Sequence, residues 1–163
     1  MMEAIENDSP IALYCSFWVG RHCFAVPSNA VSEVHTPVPV TRVPGLKSTV
    51  SGYVNLRGQL YLVLDPGELL IGAPIADGSA GLIVFRPEVG EAFAICVDQV
   101  GDMLSIHRAK IHTPKARADD IDLSDDSHNR ESLISGRATM ETCLVTLIDA
   151  SKLLPAALHD GGA

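Results

Sequence analysis

The stretch from Val50 to Leu70 returns in outline 84 positions later, from Ile134 to Leu154, and this internal repeat restricts the fold more than any other feature of the 163-residue chain. Ser51, Gly52, Leu60, Asp65, Leu69 and Leu70 fall on Ser135, Gly136, Leu144, Asp149, Leu153 and Leu154. A second echo has an offset of 69: Phe24-Ala25-Val26 returns as Phe93-Ala94-Ile95, and the same shift aligns Val31 with Val100 and Glu33 with Asp102. The second copy is therefore longer by 15 residues, the difference between 84 and 69. That length belongs in 115–130, a polar stretch with Asp119, Asp120, Asp122, Asp125 and Asp126, which reads as an exposed acidic loop.

What repeats is a β pattern. Ala12–Val19, Cys23–Val26, Leu60–Leu64, Leu82–Phe85, Ala92–Val97 and Cys143–Ile148 are short, rich in β-branched or aromatic residues, and bounded by Gly and Pro. Gly20-Arg21-His22 and Pro87-Glu88-Val89-Gly90 read as hairpin connections. Helix is expected only in short pieces after Pro27, Asp65 and Asp149. The prediction is a single all-β domain over 11–154, built from two intertwined, pseudo-repeated five-stranded units that each close into a small barrel and so hide strand edges. Residues 1–10 and 155–163 are expected to be flexible.

Composition removes several function classes. The Cys15, Cys23, Cys96 and Cys143 thiols are scattered through apolar runs without close pairing, which predicts reduced core cysteines in a cytoplasmic protein. The N-terminus carries Glu3, Glu6 and Asp8 and shows no signal peptide. No apolar run approaches the ~20 residues of a membrane helix, so no membrane insertion is expected. A net charge of −8 with 12 dispersed Lys and Arg argues against nucleic acid. Phosphate loops, dinucleotide fingerprints, nucleophile elbows and H-E-x-x-H are absent from the sequence. Asp120, Asp122, Ser124 and Glu131 have calcium-loop spacing, but Asp125 stands where the sharp turn needs glycine. Neither a cofactor, a metal nor catalysis is predicted.

The run Gly52-Tyr53-Val54-Asn55-Leu56-Arg57-Gly58-Gln59-Leu60-Tyr61-Leu62-Val63-Leu64-Asp65 resembles the signature of the CheW-like family, the coupling proteins of bacterial chemosensory arrays. Phe24 to Val34, Phe93 to Val100, Ile134-Ser135-Gly136 and Leu144 to Asp149 resemble further segments of that family, so the likeness spans Ile11 to Leu154. Asp65-Pro66-Gly67 departs from the family's usual Asp-Leu helix opening, and the acidic insertion is long for it. The resemblance implies SH3-like barrel subdomains and a non-enzymatic chemotaxis adaptor, recruited from the cytoplasm to membrane-associated receptor arrays. Its implied partners are the cytoplasmic tip of methyl-accepting chemoreceptors and the regulatory domain of a CheA-type histidine kinase. A sibling adaptor of a twitching or other chemosensory pathway shares the same physics. A metal- or ligand-binding β-barrel sensor using Cys or His is the alternative of another class.

The expected receptor site comprises Val31, Glu33, Gly52, Val54, Leu56, Arg57 and Gly58. Arg57-Gly58 is a hairpin turn in which glycine supplies a positive φ, and by the resemblance Arg57 forms a salt bridge with Glu33. Gly52, matched by Gly136, marks either a bulge or close backbone approach common to both copies, or the approach of a partner helix. Val31, Val54 and Leu56 belong either to the core or to a groove for a receptor helix. Edge strands of both halves are the candidates for the kinase side.

Overall fold

The computed structural model describes residues 10–36, 38–75, 81–113, 130–141 and 143–159. Ten strands occur among them: β1 (Ile11–Val19), β2 (His22–Pro27), β3 (Val31–His35), β4 (Val50–Leu56), β5 (Gln59–Leu64), β6 (Gly81–Phe85), β7 (Phe93–Val97), β8 (Gln99–His107), β9 (Ile134–Thr139) and β10 (Leu144–Ile148). Helix is brief. The 3-10 turns Ser28–Ala30, Arg108–Lys110 and Ala150–Lys152 accompany the helices α1 (Pro66–Leu70) and α2 (Leu153–Leu158), and residues 130–133 are also helical. All three predicted helical positions carry a helix or helical turn. The acidic stretch lies outside the described residues apart from Arg130, as do residues 1–9 and 160–163.

The strands form two antiparallel-rich sheets, ordered β3-β6-β7-β5-β4 and β8-β1-β2-β10-β9. We call them the middle and terminal barrels. The two sequence copies, β1–β5 and β6–β10, do not each form one barrel alone; they intertwine. Each barrel takes two strands from one copy and three from the other. The junctions are the parallel pairs β2 with β10 and β5 with β7. Parallel neighbours cannot be joined by a tight hairpin, so partners drawn from distant parts of the chain satisfy them directly. Exchange makes the two barrels one body.

Strand alternation then sorts side chains between two interiors. In β7, Phe93, Ile95 and Val97 face a large cluster shared by the barrels, with Phe17, Phe24, Ile83 and Phe85. Ala94 and Cys96 face the inside of the middle barrel with Val54, Leu56, Val63 and Val84. β2 does the same in the other sheet: Phe24 and Val26 enter the shared cluster, while Cys23 and Ala25 line the terminal barrel with Val145 and Leu147. The repeated Phe-Ala dipeptide thus has a packing reason. A large ring fills the space between barrels, and a small side chain fits the narrow barrel interior.

Isolated bridges close both sheets. Thr41, beyond β3, exchanges backbone hydrogen bonds of 2.7 and 2.9 Å with Tyr53 of β4. His112, beyond β8, does so with Arg137 of β9 at 2.8 Å in both directions. Next to these bridges stand Gly52 and Gly136, each beside a register shift in its hairpin. A Cβ on Gly52 would lie 2.2 Å from the Thr41 carbonyl oxygen, and one on Gly136 would lie 2.7 Å from Cγ2 of Ile111. Bulge and close approach recur in both barrels, as the first of the two readings of this glycine requires.

Asp65 caps α1. Its buried carboxylate accepts hydrogen bonds from the backbone N–H groups of Gly67 (2.9 Å), Glu68 (3.3 Å) and Ile75 (3.2 Å). Pro66 sits in the first turn, where its missing N–H is no loss. Burial pushes the Asp65 carboxyl up from its ordinary value, against the three donors, which pull it down. Asp65→Ala is expected to cost about 2–4 kcal/mol, from the lost cap and the stranded donors. Asp65→Asn keeps an acceptor oxygen and should lose less than half of that in urea denaturation. Its counterpart Asp149 caps Ser151 with a 3.1 Å bond from the backbone N–H.

The tail is more ordered than predicted. α2 runs to Leu158, Ala157 is buried, and Thr49 and Lys47 donate side-chain hydrogen bonds of 2.8 Å to the carbonyls of Ala157 and Leu158. The Leu-Leu pair of the repeat extends the helix onto the shared core, so flexibility does not begin at residue 155.

Candidate functional site

The tip of the β4–β5 hairpin is a two-residue turn, with Leu56 and Gln59 as the last paired residues. Arg57 has φ +52° and Gly58 φ +83°, the two positive angles that a type I′ turn demands. Glycine adopts such an angle freely, but arginine does not. Asn55 braces the turn: its Oδ1 accepts the Gly58 N–H at 2.9 Å.

Arg57 directs its guanidinium to β3, where Nη2 donates to Oε1 of Glu33. The other carboxylate oxygen of Glu33 lies 2.7 Å from Nε2 of His35. Glu33 and His35 are two apart on one strand and so share a face. The contacts of His35 first, then of Arg57, hold the Glu33 carboxyl below the usual glutamate value. With the Arg57 side chain 67% exposed, the pair adds little stability, and its effect is to fix where the guanidinium points. A depressed carboxyl stabilises these contacts above the ordinary glutamate value and loses that contribution as pH falls through its own lowered value. A carboxyl NMR titration should place Glu33 low, and Arg57→Ala should move it upward. An unmoved midpoint would show that the ion pair does not form in solution.

The other expected residues divide by depth. Val54 and Leu56, 2% and 8% exposed, point into the middle barrel, so the alternative of a groove lined by them gives way to core packing beneath the hairpin. Gly52 is buried at the closing bridge. Val31 is half-buried against the shared cluster, at the turn from β2 into β3. The surface is formed by Glu33, His35, Arg57 and Gly58, while exposed Val34 lies on the other face of β3. His35 escaped the sequence reading, although its place two residues from Glu33 on a strand was the available signal.

Among the described residues, no group of three or more His, Cys, Asp and Glu could hold a metal ion. Nor is any helix among them long and apolar enough to cross a membrane. The four cysteines form no disulfide, and burial together with Cys143 pushes the Cys23 thiol up to about 12.

Comparison with known proteins agrees with this architecture. Residues 14–158 match the model of the CheW-like domain. The chain is 26% identical over 142 residues to the chemotaxis protein CheW of Bacillus subtilis, covering 85% of this chain and 83% of that protein. It is 25% identical over 141 residues to CheW of Rhizobium meliloti, covering 86% and 85%. The crystal structure of the scaffolding protein TtCheW from Thermoanaerobacter tengcongensis superimposes with a TM-score of 0.66 at 19% identity, over 84% of this chain and 88% of that one, which shows the shared fold. With the family pattern covering both barrels and the Arg57 hairpin of the middle one, the chain belongs to the CheW-like family of chemotaxis scaffolds.

Proposed function

We propose that this protein couples the cytoplasmic tip of a methyl-accepting chemoreceptor to the regulatory domain of a CheA-type histidine kinase, and that it is recruited to membrane-associated arrays by doing so. The chemistry required is recognition alone, with no catalytic step. The observation that carries the proposal is the conformation of Arg57. An arginine in a left-handed turn position costs about 1–2 kcal/mol relative to glycine or asparagine there. A residue that opposes its local backbone preference, and whose charge is then steered by Glu33, marks a surface kept for binding and not for folding.

On this account Glu33, Arg57 and Gly58 meet the receptor, while Val31, Gly52, Val54 and Leu56 set the position of the hairpin from below. Separate pull-downs with a receptor-tip fragment and with the kinase regulatory domain test it. Both should be retained by the wild-type protein. Failure to retain the receptor fragment would remove the assignment of this surface.

A further inference from the structure

We propose that the cleft beside β8 in the terminal barrel is a docking site for an extended, basic segment of a partner protein, whose arginine or lysine lies between Asp102 and Glu141. The cleft contains none of the hairpin residues, and it occupies the place in the terminal barrel that the Glu33–Arg57 gap occupies in the middle one.

In the middle barrel, the gap between the terminal strand β3 and the β4–β5 tip is spanned by Glu33 and Arg57. The repeat offsets of 69 and 84 carry Glu33 to Asp102 and Arg57 to Glu141. The structure supports both equivalences. Val31 and Val34 pair with Phe85 and Ile83, as Val100 and Met103 pair with Phe17 and Cys15. Gly52 pairs with Val63 as Gly136 pairs with Leu147, and the Leu56–Gln59 turn becomes the turn in which the Met140 N–H bonds to the Cys143 carbonyl at 2.8 Å. The position of the salt bridge in one barrel is therefore occupied by two carboxylates in the other. Their like charges repel where Glu33 and Arg57 attract.

A cleft of about 550 Å³ lies at this place, with Asp102 and Glu141 both exposed on its wall and Trp18, Cys23 and Val145 among its lining residues. β8 ends the strand order, and beyond the described bridge at His112 no described strand covers its second edge. Such an edge accepts an added strand through backbone hydrogen bonds, with side chains entering the cleft alternately. Charge selects the occupant. Two carboxylates favour a guanidinium or ammonium, as Glu33 does in the middle barrel. Lys110 and His107 line the same cleft from the far end of β8 and its following turn, so a cation is drawn to one end of it. The Cys23 thiol, with its raised value, stays neutral and offers a cation no competing charge. The net charge of −8 adds long-range attraction for a basic partner.

Trp18 is the only tryptophan, and it lines the cleft, so its emission reports occupancy. The probe is a short blocked peptide of alternating valine and threonine with one central arginine, and the control carries glutamate at that place. The arginine peptide should change Trp18 emission saturably and bind more weakly as salt is raised, while the glutamate peptide should bind at least roughly tenfold more weakly. Glu141→Arg, which rebuilds the missing pair with Asp102, should weaken the arginine peptide by roughly tenfold or more, and Glu141→Gln should do so by a smaller factor. Circular dichroism of both variants confirms that the fold is kept. Equal binding of the two peptides, undiminished binding to Glu141→Arg, or no saturable change up to roughly millimolar arginine peptide would each overturn the proposal.

Discussion

Gly52→Ala is expected to destabilise the protein by about 3–5 kcal/mol. Two penalties combine. The backbone at Gly52 has φ +149°, which an L side chain rarely adopts, and the new Cβ would lie 2.2 Å from a backbone oxygen that is itself fixed by the barrel-closing bridge. Gly136→Ala meets a gentler environment. Its nearest obstacle is the Cγ2 methyl of Ile111 at 2.7 Å, and the backbone carbonyl of His112 is 3.3 Å away. A cost of about 1–2 kcal/mol is expected there, because a side chain can turn aside where a carbonyl in a bridge cannot. Urea midpoints of the two variants measure the difference. Equal losses would mean that the two closures are mechanically alike, contrary to their geometry.

Arg57→Asn should weaken binding to a receptor-tip fragment by roughly tenfold or more while leaving the kinase regulatory domain within about twofold. Asparagine suits the left-handed turn better than arginine, so the fold should be unchanged or slightly more stable. Arg57→Ala should lose the same affinity but also loosen the hairpin, since alanine has neither the guanidinium nor tolerance for positive φ. Comparing the two separates the charge from the shape of the turn. Receptor affinity that survives Arg57→Asn would place recognition in the backbone of the hairpin and not in its cation.

The repeat revealed more of this fold than the local strand signals did. Offsets at Gly52, Asp65 and Phe24-Ala25 each mark a physical demand met twice: a closing bridge, a helix cap, and a strand packed on both faces. β8, like β3 and β9, lies outside the six strand signals: Gln99, Gly101, Asp102, Ser105 and His107 weaken its alternation, and its nine residues are held by pairing along β1. The intertwining of the halves is expected, but which strands pair across them is not legible, since self-closure and exchange place the same residues in the same kinds of interior. At the candidate site, Arg57 and Gly58 were legible as a turn, but the burial of Val54 and Leu56 was not, because alternation fixes which residues share a face and not which face meets water. The contrast between Glu33–Arg57 and Asp102–Glu141 was written in the sequence, yet it acquires meaning only when both pairs are seen at equivalent gaps in two barrels.

The proposed transmission of receptor state to a kinase is read out by reconstituted phosphorylation. Receptor fragments, the kinase and this protein are combined, and kinase autophosphorylation is followed with and without receptor ligand. Ligand should change the rate only when the protein is present, and Arg57→Asn should abolish that change while still binding the kinase. Ligand control that is equally strong without the protein, or absent with every receptor and kinase pair, would contradict the account.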